Sequence, residues 1–212
     1  MSNMTLKEFE NYFNDVICEN LNIILSFLND GDTFLDIGAN TGLLSEQILK
    51  TKKLNKLILI EPVERYYKEC VRKFKKNSSV EIEQVGFSDV SEIKEIYCST
   101  KNYGYNKIYV TGMEIHPHYV EKINCIRFDE WVGDRKFNFI KIDAEGHDTN
   151  IIYGMINWLD KIDEKPFIFF EGGWYDNIEN NLIKFLENTY DYNTQRYNRD
   201  ILMIPPYKNK II

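Results

Sequence analysis

The chain reads as an α/β protein, with a mainly parallel β-sheet covered by helices on both faces. Three observations predict this. Short apolar runs of strand length alternate with stretches of helical periodicity along most of the chain, as strand–helix–strand units do. Runs such as Leu57-Ile58-Leu59-Ile60 and Phe167-Ile168-Phe169-Phe170 are apolar throughout, which suits strands buried on both sides. Finally, Asp36, Glu61, Ser88, Asp143 and Glu171 each fall at the end of such a run. In parallel sheets that is the edge where ligands bind.

The elements follow in order. Thr5 to Glu8 fits a capping box, and Leu6, Phe9, Phe13, Val16, Ile17, Leu21, Ile24 and Leu28 recur at helical spacing. One or two helices therefore make a leading segment, residues 1–30, that either covers the substrate side or simply packs on the sheet. The α/β domain itself occupies residues 31–212. It opens with a turn at Asn29-Asp30-Gly31-Asp32 and a strand from Thr33 to Ile37 that ends in Gly38 and Gly42. A helix runs to about Lys50, and a second strand ends at Glu61. Pro62 sits where a helix can begin, and that helix runs to about Lys75. The third strand spans Val80 to Phe87. Short strands near 93–98 and 123–128 flank an irregular stretch that holds Tyr103, Tyr105 and His116-Pro117-His118. Then come a strand from Phe137 to Asp143, a helix from His147 to Leu159, a strand from Phe167 to Glu171 and a helix from Ile178 to Glu187. Residues 192–197 and 200–204 pair as an antiparallel hairpin.

With 212 residues, 43% hydrophobic and 28% charged, the chain has the make-up of one soluble globular domain. Its net charge of −7 argues against a nonspecific grip on nucleic acid, which relies on Lys and Arg to neutralise phosphates. Arg72, Lys73, Lys75 and Lys76 form the one basic cluster, and cations suit the C-terminal end of a helix. Cys18, Cys70, Cys98 and Cys125 are scattered, so free thiols in a reducing compartment are expected. No secretory signal and no membrane-spanning run is visible in the sequence. The expectation is a cytoplasmic protein.

Asp36-Ile37-Gly38-Ala39-Asn40-Thr41-Gly42 places a glycine turn after a buried strand, where backbone can approach a ligand closely. Glu61 lies 25 residues beyond Asp36, about one strand–helix–strand unit, and an acid there can grip both hydroxyls of a ribose. An adenosine cofactor is implied. Asp36 would repel a dinucleotide's pyrophosphate but suits an ammonium group, which points to S-adenosylmethionine rather than NAD.

The second dense motif is Ile140-Lys141-Ile142-Asp143-Ala144-Glu145-Gly146-His147-Asp148. Asp143, Glu145 and His147 crowd one turn beside the expected cofactor, and clustered carboxylates with an imidazole suit a general base for a hydroxyl nucleophile. The plainer alternative is that Glu145 and Asp148 cap a helix while His147 faces solvent. Beyond the last strand, Glu171 and Trp174 lie near the cleft and are candidates for holding the acceptor. His116 and His118 lack the further ligands of a metal site, so no metal is expected.

Asp36 to Gly42, Ile60-Glu61-Pro62, Phe128-Asp129 and Ile140 to His147 together resemble the FkbM family of S-adenosylmethionine-dependent methyltransferases, over about residues 33 to 175. The resemblance implies a seven-stranded, Rossmann-like class I methyltransferase sheet that methylates hydroxyls, often on sugars or natural products. It places Asp36, Gly38, Asn40 and Gly42 on the methionine part, Glu61 on the ribose and Phe87 and Ser88 beside the adenine, with Ala39 and Pro62 also counted among the cofactor-binding residues. It turns Asp143, Glu145 and His147 toward the acceptor. The expected partner is a small-molecule or glycan acceptor rather than nucleic acid or membrane. The segment from Ile93 to Ile123, which should shape the acceptor pocket, matches no motif.

Overall fold

The computed structural model describes residues 19–99, 106–108, 118–173 and 176–206. Helix α1 covers residues 19–27 and is followed by β1 (Thr33–Ile37), α2 (Leu43–Thr51), β2 (Lys56–Ile60), α3 (Glu64–Phe74) and β3 (Val80–Glu83). Next come β4 (Gly86–Ser88), β5 (Glu92–Ser99), β6 (Asn106–Ile108), β7 (His118–Arg127) and α4 (Phe128–Val132). The rest is β8 (Phe139–Ile142), α5 (Asp148–Tyr153), α6 (Ile156–Leu159), β9 (Phe167–Glu171), α7 (Asp176–Tyr190), β10 (Asn193–Tyr197) and β11 (Asp200–Ile204).

Seven strands form one sheet in the order β10-β11-β9-β8-β1-β2-β3. Strands β9, β8, β1, β2 and β3 are parallel, and the β10–β11 hairpin adds to β9 antiparallel. The order reverses at β1, which lies between β2 and β8, and that reversal opens a crevice at the strands' carboxyl ends. Both faces are packed. Leu35, Ile37, Ile58, Ile60, Ile140, Ile142, Ile168 and Phe170 point into one core with α5, α6 and α7. Phe34, Leu57, Leu59, Phe139, Phe167 and Phe169 point into the other with α1, α2 and α3. Period-two alternation between two apolar layers is what makes these strands read as unbroken hydrophobic runs.

Besides β6 and the longer β7, which fall in a stretch expected to be irregular, three elements differ from the sequence expectation. The single third strand divides: β3 stays in the main sheet, whereas β4 pairs with β7 in a separate four-stranded sheet, β4-β7-β5-β6. Phe87 draws the chain away, since its ring packs against Phe128 and Trp131 with centroids 5.4 and 4.8 Å apart. Phe128, expected to end a strand, is the buried first residue of α4. The helix expected over 147–159 breaks into α5 and α6 at Gly154, where a Cβ would lie 2.2 Å from the Ser88 carbonyl oxygen. A continuous helix bearing side chains would not fit against β4 there.

The leading segment up to residue 18 lies outside the described residues. In α1, Ile23 and Ile24 are buried against the sheet. Cys70, Cys98 and Cys125 are free and buried; Cys18 is outside the described region. Among the described residues, no helix is long and apolar enough to cross a membrane. None of them form a cluster of three or more His, Cys, Asp or Glu side chains fit to hold a metal.

Candidate active site

A cleft opens at the carboxyl ends of β1, β2 and β8. Its floor is the backbone of Gly38, Ala39, Asn40 and Thr41, and Glu61, Lys141 and the Asp143–His147 turn form its polar walls. The glycine turn hangs on the tip of β2: the amides of Gly38 and Ala39 donate to the Ile60 carbonyl at 2.9 and 3.1 Å. Glu61 completes that suspension. It is 4% exposed, and its two carboxylate oxygens accept the backbone N–H groups of Asn40 and Val63, each at 2.8 Å. Burial pushes its carboxyl up to about 7, although the Val63 and Asn40 amides and then Lys141 pull the other way.

The two glycines of the motif serve close approach of chain to chain. Gly38, at φ +74°, leaves so little room that a Cβ would lie 2.0 Å from the Asp143 carbonyl oxygen. This contact brings the two motifs together. Gly42, at φ +70°, faces inward, where a Cβ would meet the Phe74 ring at 2.8 Å. It does not line the cleft; it lets α2 start against α3.

Asp36 also stands behind the wall rather than on it. It is fully buried, accepts the Ser45 hydroxyl at 2.7 Å and pairs with Lys141, whose Nζ is 3.1 Å away. The ammonium group that Asp36 was expected to meet on the cofactor is thus supplied by the chain. Lys141 also lies 3.4 Å from Asp143 and donates to the Gly38 carbonyl at 3.3 Å. Although burial opposes the charge, Asp36 and Asp143 hold the ammonium in its protonated form. Lys141 was not singled out in the sequence. A lysine between Ile140 and Ile142 in a buried strand was the available signal, since a buried charge needs partners.

The Asp143–His147 turn is tightly made. Glu145 and Gly146 adopt positive φ, and Asp148, fully buried, accepts the amides of Ala144 and Gly146 at 3.4 and 3.2 Å. Burial first, then Asp143 and Glu171, push the Asp148 carboxyl up to about 7. Asp148 does cap the turn, but His147 does not face open solvent. Its Nε2 lies 2.9 Å from Ser88 Oγ, and its ring borders the cleft. Burial first, with Lys94 adding to it, lowers the imidazole to about 4, so His147 is neutral at physiological pH. Ser88, expected beside the adenine, is instead fully buried and bonded to His147.

Opposite the turn, Pro62, Val63, Val85, Phe87, Ile96, Ile123 and Cys125 make an apolar slot. The last three come from β5 and β7 of the second sheet, whose segments carried no recognisable motif. Asn20 of α1 lines the cleft as well, so the described part of the leading segment packs on the sheet and reaches the cleft. Glu171 lies off the cleft lining and pairs with Arg199 at 3.3 Å; Trp174 is outside the described residues. An apolar slot of this kind could take a flat base, and Glu61, on the same cleft, could hold a ribose.

Comparisons with known proteins give the family and the cofactor. Residues 36–192 match the sequence profile of the methyltransferase FkbM domain. A methyltransferase FkbM from Methylobacillus flagellatus KT superposes with a TM-score of 0.59 at 16% identity, over 83% of this chain and 44% of that one. The chain therefore spans less than half of that protein's length. Precorrin-6y C5,15-methyltransferase from Geobacter metallireducens GS-15 gives 0.52 at 12% identity, over 96% and 89% of the two chains. The N-methyltransferase NodS from Bradyrhizobium japonicum WM9, solved with S-adenosyl-L-homocysteine, gives 0.51 at 11%, over 91% and 87%. At these identities the likeness is one of fold. No curated protein sequence matches the chain significantly. The FkbM profile, however, runs from the glycine turn to the end of α7 and takes in both motifs: the chain belongs to the FkbM family of methyltransferases, and its cofactor is S-adenosylmethionine.

Proposed function

We propose that this enzyme is an O-methyltransferase that acts on a hydroxyl of a small polyhydroxylated acceptor, a sugar or glycan. One observation carries the reading: the Asp143–His147 turn shares a cleft with Glu61, and presents there a carboxylate and a neutral imidazole. S-adenosylmethionine, when bound, supplies a methyl group on a sulfonium, which leaves as a neutral thioether as the carbon–oxygen bond forms. The chain's residues do the rest. Glu61 and the Gly38–Thr41 backbone hold the cofactor, and Phe87 and Val63 flank its base. The acceptor hydroxyl loses its proton to the Asp143–His147 turn, from which it passes to solvent. Holding the reactants in line and accepting that proton are the two contributions such a site makes.

The net charge of −7 supports a small acceptor over nucleic acid. So does the position of the basic cluster. Arg72 pairs with Glu69 at 2.7 Å and Lys73 with Glu46 at 3.3 Å, at the end of α3 away from the cleft. The test is methyl transfer from labelled S-adenosylmethionine to nucleotide sugars, free deoxysugars, capped RNA and total RNA in parallel. Labelling of one or more sugars is expected. Efficient labelling of RNA with none of any sugar would overturn the reading.

A further inference from the structure

Beside the cleft, four residues that come from two separate parts of the chain form one chain of hydrogen bonds. Asp89 Oδ1 lies 3.0 Å from Ser88 Oγ and 3.2 Å from Asn150 Nδ2. Ser88 Oγ in turn lies 2.9 Å from His147 Nε2. The protons can be placed by elimination. The hydrogen bonds from Asn150 and Ser88 outweigh partial burial and hold the Asp89 carboxyl below its usual range, so its oxygens only accept. Both Ser88 contacts are hydrogen bonds only if the Ser88 proton goes to Asp89, since Asp89 has none to give in return. The Ser88 oxygen is left as an acceptor for His147, and Nε2 must carry the hydrogen. In a neutral imidazole the other nitrogen, Nδ1, then keeps its lone pair. Among the described residues Nδ1 has no hydrogen-bond partner, and His147 is one of the residues that line the cleft.

We propose that Ser88 and Asp89 are positioning residues that fix His147 as its Nε2–H tautomer, so that the Nδ1 lone pair faces the cleft as the proton acceptor. This rests on the O-methyltransferase reading for its chemistry but not for its geometry. The proton balance is simple: Nδ1 takes the hydroxyl proton as the oxygen gains the methyl, and the imidazolium returns it to solvent. Charges face the ring from each neighbouring element. Lys94 and Glu92 lie on β5, 2.5 Å from each other, Asp89 follows β4, and Asp148 follows on His147's own helix. Lys94 acts on the ring more strongly than its partner Glu92, and Asp89 is the foremost anion, aligned with the imidazole through Ser88. The support is packed closely: the Ser88 carbonyl rests against Gly154, and the Ser88 side chain is fully buried.

The experiment reads the tautomer directly. The chain has three histidines, so the full-length protein labelled with nitrogen-15 histidine gives three ring systems, and His147→Gln identifies the one of interest. In the wild type near neutral pH, His147 should be neutral with hydrogen on Nε2. Ser88→Ala should erase that preference. Asp89→Asn, whose amide can donate to Ser88 and free its hydroxyl proton for Nε2, should shift His147 toward Nδ1–H. It also provides the readout if Ser88→Ala does not fold. A wild-type ring protonated on Nδ1, or a signature unchanged in the folded variants, overturns the proposal. In turnover, Ser88→Ala should lower kcat ~10-fold with the KM for the cofactor unchanged. Unchanged kcat would overturn the positioning role even with the tautomer as stated. A correct tautomer with no sugar methylated would instead count against the acceptor class, so the two failures are separable.

Discussion

Glu61 holds a buried negative charge that the fold alone does not favour, and replacing it should expose this in opposite ways with and without cofactor. Burial moves its carboxyl from 4.5 to about 7. At ~1.36 kcal/mol for each tenfold change in the proton equilibrium, keeping it ionised costs the folded chain about 3 kcal/mol. Because the folded value lies above the unfolded one, this contribution to stability is complete below pH 4.5 and is lost as the pH rises through about 7. Glu61→Gln keeps one acceptor oxygen for the Asn40 or Val63 amide but has no charge to bury. Without cofactor, the variant should therefore gain on the wild type by about 2 kcal/mol between roughly pH 5 and pH 8.5, or about 4–8 °C in Tm. With cofactor the order reverses. A carboxylate accepts both ribose hydroxyls, and hydrogen bonds to charged groups are worth ~1.5–3 kcal/mol, so Glu61→Gln should bind S-adenosyl-L-homocysteine roughly ten- to a hundredfold more weakly. Wild-type affinity should also tighten about tenfold as the pH rises from about 6 to above 7, following the ionisation of Glu61. Thermal melts and calorimetry across pH measure both effects. Parallel pH dependence of stability in the two proteins would refute the buried-charge argument. Equal affinities would show that the ribose is held elsewhere.

Saturating S-adenosyl-L-homocysteine, at 100 times its dissociation constant, should stabilise the protein by ~2.7 kcal/mol; no thermal shift at millimolar ligand would contradict the cofactor site. Gly38→Ala places a Cβ 2.0 Å from the Asp143 carbonyl at φ +74°, and that carbonyl cannot retreat while the Asp143 amide is bonded to Ile37. A loss of about 3 kcal/mol or more is expected from urea midpoints. Asp143→Asn and His147→Gln should each fold and lower turnover ~10²–10⁴-fold; wild-type turnover in both would place the proton acceptor elsewhere. At saturating cofactor, turnover should fall as the pH drops through about 4, the point at which His147 gains a proton. The depressed imidazole also contributes stability that is complete above pH 6.5 and lost as the pH falls toward about 4, which His147→Gln should remove.

The parts of this fold that were legible in the sequence are those where one local pattern decides the outcome. Strands β1, β2, β8 and β9 are packed on both faces, so their apolar runs gave their positions to within a residue or two, and their tips gave the cleft. The second sheet was not legible as a sheet. The eight paired positions of β5 and β7 put Ile93, Glu95 and Tyr97 on one face and Lys94, Ile96 and Cys98 on the other. Neither face is uniformly apolar, because only Ile96, Cys98, Ile123 and Cys125 are packed inward against Val63 and Tyr66. Nor does anything near Val80–Ser88 announce that the chain changes sheets. That is decided by the distant ring cluster of Phe128, Trp131 and Trp158, in which Phe87 takes part.

Asp36 and Lys141 show why a correct functional conclusion can rest on a local reason that the fold does not use. Read along the chain, an acid before a glycine turn is an acid without a partner, and a cofactor's ammonium is the natural complement. The partner is 105 residues away in sequence but adjacent in space, since Asp36 and Lys141 face each other in the register of β1 and β8. A fully buried carboxylate beside a lysine held protonated is a neutralised pair. It leaves little net charge to sort a pyrophosphate from an ammonium. What selects the cofactor in this cleft is on its surface instead. Glu61 is an acid on that surface, and when ionised it repels a phosphate. Asp143, reached through the same Lys141, is held at the far wall by the ammonium that neutralises Asp36. The lysine thus couples the two motifs: to remove it is to take a cation from two acids that lie 3.1 and 3.4 Å from it, one buried and one lining the cleft. The glycine turn and the Asp143–His147 turn should then fail together, and the lysine buried within the second motif is the sign in the sequence that it has partners elsewhere.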